Sequence, residues 1–113
     1  MVVRIVKFEL EAKLTGKTYG PLSKPSGKVE RKSYIDGGER LKISIRNLNV
    51  PDQSIATVKV NGNEIVQIIL TNGSGRVDNE PVSQSFIPRL EAGHIVEVYV
   101  DGAQLLSGVL HVD

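Results

Sequence analysis

Apolar and polar residues alternate along most of this chain with a period of two. The alternation is cleanest in two blocks forty positions apart. Residues 55–70 read IATVKV-NG-NEIVQIIL, two alternating runs joined by Asn61-Gly62, a pair that favours a tight hairpin turn. Residues 94–110 read HIVEVYV-DG-AQLLSGVL. Val58, Val60, Asn61, Gly62, Ile65, Val66, Ile69 and Leu70 are answered by Val98, Val100, Asp101, Gly102, Leu105, Leu106, Val109 and Leu110. A plain two-residue loop opposes Lys59 and Glu64 but mixes the faces. A bulged register one step away joins Ala56, Val58 and Val60 to Val66, Ile68 and Leu70 on one dry face. Burial outweighs one exposed ion pair, so the bulged register is expected. By the same argument Val96, Val98 and Val100 join Leu106, Gly108 and Leu110.

The chain opens on a third strand. Val6, Phe8, Leu10, Ala12 and Leu14 share one face, and Lys7, Glu9, Glu11 and Lys13 the other, a solvated one. Before Val6 the period breaks, because Val2, Val3, Ile5 and Val6 put apolar groups on both faces. A continuous strand over residues 2–15 would reach about 45 Å, beyond ordinary strands. Residues 16–27, GKTYGPLSKPSG, form a turn-rich connector, either a crossover loop between sheets or a hinge. Lys28 to Ile35 is the next strand, with Val29 and Ile35 inward, then a turn at Asp36-Gly37-Gly38. Leu41, Ile43 and Ile45 alternate with polar partners. A loop follows at residues 47–53, and short edge strands are expected near Arg76–Asp78 and Ser85–Ile87. Seven or eight strands and no helical period predict an antiparallel β-sandwich, Ig-like or jelly-roll-like. The organisation read from this is a long first strand or donor arm over 1–15, the connector over 16–27 and a sandwich body over 28–113, all one domain.

Length and composition narrow the function. At 113 residues the chain makes one core, and its 40% hydrophobic content is that of a globular domain. The formal charge of +1, with signs interspersed, builds in no field for nucleic acid. No apolar run reaches membrane-spanning length. The N-terminus lacks a cleavable leader pattern, which leaves a cytoplasmic chain or one whose signal lies elsewhere. Cysteine is absent. His94 and His111 stand at no metal-ligand spacing and read as surface residues. Asp36, Asp52, Asp78 and Asp101 sit at turns, where Asp serves the backbone. Phe8 and Phe86 read as core, Tyr19, Tyr34 and Tyr99 as exposed. Asn72-Gly73-Ser74 makes Asn72 a candidate glycosylation acceptor. No catalytic residue, cofactor or metal ligand is assigned, and an enzyme is not expected.

The segments PSGK (25–28), LKISIRNLNVPD (41–52), VKVNG (58–62), IPRLEAGHIVEV (87–98) and LLSGVL (105–110) resemble a family of small uncharacterised β domains of environmental bacteria. The resemblance covers most of the chain from Phe8 onward. It implies a β fold, an extracellular or cell-surface location and no catalytic residues. The plan also looks like that of extracellular fibre subunits that assemble through an N-terminal donor strand. The expectation is a non-enzymatic subunit of a filament or surface fibre, its partner another copy of itself. Val2, Val3, Ile5, Val6, Phe8 and Leu10 are then the assembly interface. The alternative is a monomeric binding module for a glycan or a surface partner, using loops 47–53 and 71–85.

Overall fold

Period-two patterning without helical signal gives an all-β chain. The computed structural model describes residues 6–16, 24–35, 39–79 and 90–112. In these the strands are β1 (Val6–Thr15), β2 (Ser26–Tyr34), β3 (Glu39–Arg46), β4 (Ile55–Val60), β5 (Asn63–Ile69), β6 (Gly75–Asn79), β7 (Ile95–Val100), β8 (Ala103–Val109) and the two-residue β9 (His111–Val112). All strand pairings among the described residues are antiparallel, in the order β5-β4-β7-β8-β1-β2-β3-β6, with β9 beside β1. The sheet curls into a nearly closed, sandwich-like barrel. One wall is β5-β4-β7-β8 and the other β1-β2-β3-β6. The edge strands β5 and β6 are joined by a tight turn in which Thr71 and Ser74 bridge. Leu10, Ala12, Leu14, Val29, Leu41, Ile43 and Ile45 from one wall pack in a single core with Ala56, Val58, Val96, Val98 and Leu106 from the other.

The two hairpins combine both registers considered above. Val60 pairs with Asn63 and Lys59 with Glu64, so the turn itself is a two-residue one. Both central residues have positive φ, 50° and 82° at Asn61 and Gly62, and 50° and 78° at Asp101 and Gly102, the signature of a type I′ turn. The ladder then slips by one, leaving Ile65 as the extra residue, and Val58 faces Val66 and Ala56 faces Ile68. The second hairpin slips at the same place, with Val98 opposite Leu106. The slip sets Ile68 and Leu70 inward as expected and adds Ile65 to the core.

The likeness of the hairpins extends outside the strands. Gln53 N–H donates to the Leu70 carbonyl, Leu70 N–H to Ser54 and Ser54 N–H to Pro51. Forty residues on, Gly93 donates to Leu110, Leu110 to His94 and His94 to Glu91. Between the hairpins, β4 pairs with β7 so that Val58 lies opposite Val98, its own counterpart in the repeat, while Ala56 faces Val100 and Val60 faces Val96. This register is that of a local two-fold axis passing between Val58 and Val98.

Several expectations about β1 and β2 are corrected. Phe8 is 41% exposed, so it is not a core residue. Val6 does not share its face. The register slips between Val6 and Phe8, which sets Val6 opposite Tyr34 and Phe8 opposite Ser33. Glu11, placed in solvent by alternation, is only 8% exposed, because β9 pairs with β1 at Leu10 and Glu11. Ile35 lies just past the end of β2 and is exposed, whereas Tyr34 is buried. Thr15 pairs with Ser26, so β1 and β2 are immediate neighbours, and the last two residues of the expected connector, Ser26 and Gly27, belong to β2; residues 17–23 of it lie outside the described ones. The expected strand at Arg76–Asp78 is β6. The turn at 36–38, the strand at 85–87, Phe86 and Tyr19 lie outside the described residues.

Candidate functional site at the open end of the barrel

The register places one end of the barrel around the start of β1. Leu10, Arg31, Leu41 and Asn79 are successive partners across β1, β2, β3 and β6, and Phe8 and Ser33 lie one step further out. Arg31 and Glu39 join in an ion pair at 2.7 Å on the same end of the sheet. Beside them Phe8, Arg31, Ser33, Leu90, Glu91 and Ala92 line an open groove of about 250 Å³. Val6, Phe8, Ile35 and Val112 are large apolar residues exposed near this end. Of the expected assembly residues, Leu10 is fully buried in the core of its own subunit, and Val6 (43% exposed) and Phe8 stand half outside. Val2, Val3 and Ile5 lie outside the described residues.

At the opposite end, loops 47–53 and 71–74 hold each other. Leu48 N–H donates to the Gly73 carbonyl at 3.0 Å, and Asn47 N–H to the Ser74 hydroxyl at 3.3 Å. The Asp52 carboxylate accepts from the backbone N–H of Gln53 and of Asn72 at 3.0 and 2.9 Å. Gly73 has φ +78°, and a Cβ there would meet the Leu48 carbonyl oxygen, so glycine is required. Asn72 is exposed, with φ +52°.

Other candidates from the sequence prove structural. His94 Nδ1 accepts the Glu91 backbone N–H at 3.3 Å, closing the turn before β7. In the counterpart turn the Ser54 hydroxyl donates to the Pro51 carbonyl at 2.6 Å. Both side chains brace one repeated turn. His111 is exposed on β9. Asp101 sits at its turn, but Asp78 does not; it lies on β6 and accepts two bonds from Arg40 at 2.9 and 2.7 Å. Tyr34, expected to be exposed, is buried. The Tyr99 hydroxyl lies 3.1 Å from Glu97 and 3.3 Å from Gln104, with Lys59 over the ring at 4.7 Å. Partial burial and then the Glu97 carboxylate push the Tyr99 phenol above its usual pKa. No group of three His, Asp or Glu fit to hold a metal occurs among the described residues. No helix among them is long and apolar enough to cross a membrane.

Sequence reasoning missed the sorting of charge between the walls. Across β1, β2, β3 and β6 the register stacks Glu9-Lys32-Arg40, Glu11-Glu30-Lys42-Asp78, Lys13-Lys28-Ser44-Arg76 and Thr15-Ser26-Arg46 on the outer face. Lys28 reaches Glu30 at 2.9 Å and Glu11 at 3.6 Å. That lysine's hydrogen bond holds the Glu30 carboxyl below the usual carboxylate range, helped by Lys32 and Lys42, and Arg40 does the same for Asp78. The signal was present in the alternation of charges, but which strands stand side by side is not readable from one strand at a time. Compared with protein-family models and with curated proteins, the chain finds no match.

Proposed function

We propose that this protein is a non-enzymatic structural subunit that assembles head-to-tail into an extracellular filament or surface fibre. Its first residues add as a strand to the sheet of a neighbouring copy. The observation that carries this reading is the half-exposed pair Val6 and Phe8 at the start of a strand whose later residues are core. The apolar Val2, Val3 and Ile5 precede them, and Leu10 is the point where the strand becomes internal to its own subunit. An apolar edge left in water invites pairing, and strand addition covers both side chains and backbone. Two edges support a receiving role: β5 and β6 each have a ladder partner on one side only among the described residues. Contacts of this give-and-take kind need not close into a ring, and so can grow into a filament.

Removing residues 1–6 converts the assembled protein into monomers, read by light scattering and negative-stain microscopy. An intact chain that stays monomeric at high concentration overturns the proposal. A second reading, a monomeric module binding a glycan or surface partner through loops 47–53 and 71–85, is favoured by one observation. The mutual bracing of 47–53 and 71–74 gives a preformed surface of the kind recognition uses.

A further inference from the structure

The outer face of β1-β2-β3-β6 carries Lys13, Lys28, Lys32, Arg40, Lys42, Arg46 and Arg76 against Glu9, Glu11, Glu30 and Asp78, a surplus of three positive charges. The whole chain has a net charge of only +1. The outer face of the other wall holds Lys59 against Glu64 and Glu97, so the sign reverses across the molecule. Three of the four acids on the cationic wall are already engaged, Glu11 and Glu30 by Lys28 and Asp78 by Arg40. Lys13, Lys32, Lys42, Arg46 and Arg76 make no ion pair among the described residues. Lys32, Arg40, Lys42 and Glu30 surround a depression of about 50 Å³. That is more than the roughly 10–15 Å³ that one water needs, and three of the four side chains around it are cationic.

From this arrangement we infer that the β1-β2-β3-β6 wall binds a linear acidic polysaccharide, whose sulfate or carboxylate groups lie along the rows of cations. Neighbouring strands stand about 4.8 Å apart, and same-face residues along a strand about 6.6 Å apart. A flexible chain of charged sugars can follow such a curved lattice and meet it at several points. Nucleic acid fits it less well. The rows contain no aromatic ring on which a base could stack, Tyr99 being on the opposite wall, and among the described residues no helix projects from the sheet to enter a duplex groove. Attraction of this kind is summed over several cations and weakens steeply with salt. It needs no assembly, so its test stands apart from that of the filament.

The experiment measures binding of the full chain to heparin, as the sulfated probe, and to polygalacturonate, as the carboxylated one. An oligo-thymidylate of matched charge serves for comparison, and salt is titrated throughout. The expected result is binding to at least one of the two glycans at physiological salt and weaker binding to the oligonucleotide. The triple variant Lys32→Gln/Lys42→Gln/Arg76→Gln loses affinity roughly tenfold or more and its salt dependence flattens. Lys59→Gln, on the opposite wall, leaves binding unchanged. Circular dichroism and unfolding midpoints check that both variants fold. Three results overturn the inference: neither glycan binds, Lys59→Gln weakens binding as much as the triple variant, or the oligonucleotide binds as tightly as the better glycan.

Discussion

Gly108 in β8 and Ile68 in β5 hold equivalent places in the repeat, and a side chain's difference separates the fates of their strands. A Cβ on Gly108 would collide with the Lys13 carbonyl oxygen, so β1 can approach β8 only over a bare backbone. At Ile68 the side chain is present, and a Cβ on Gly75 would lie 2.8 Å from its Cγ2. Gly108→Ala therefore destabilises the fold by about 2–3 kcal/mol, measured by urea unfolding, because backbone rather than a yielding side chain must move. The two turn residues behave differently. Asn61 and Asp101 share a φ of 50°, and each type tolerates that conformation. The Asn61 side-chain oxygen also accepts the Ile95 N–H at 3.1 Å, which a carboxylate can do as well. Exchanging them, Asn61→Asp with Asp101→Asn, leaves stability within about 0.5 kcal/mol.

For the elements, the charged rows of β1, β2, β3 and β6 fix the acid limb of stability. Glu30 and Asp78 titrate lower folded than unfolded. Their contribution is complete above the ordinary carboxylate pKa and is lost as pH falls through the folded value. Urea midpoints should drop from about pH 5 to pH 3, and less so in Glu30→Gln/Asp78→Asn, which has no such carboxylates to protonate. What could be read ahead of the structure also divides by element. The hairpins were legible because Asn61-Gly62 and Asp101-Gly102 fix the turn and the dry faces fix the register within a few residues. The start of β1 was not. A single slip at Lys7 moves Val6 off the face of Phe8, and the pairing of β9 draws Glu11 inward, both set by strands far along the chain. The groove beside Phe8 was equally hidden, since Leu90, Glu91 and Ala92 reach it only through the barrel's curl.

At the scale of the molecule, one wall is a near-duplicate pair of hairpins and the other is a single run of charged strands with no internal echo. Val58 lies opposite Val98, its counterpart forty positions on, and the bonds closing the preceding turns recur at the same offset. Two separate copies of one hairpin, meeting about a rotation axis, would make the same four-stranded layer. The wall thus has the symmetry of a dimer of hairpins, built within one chain. Ile68 and Gly108 are where the two halves differ, β1 lying against only one of them.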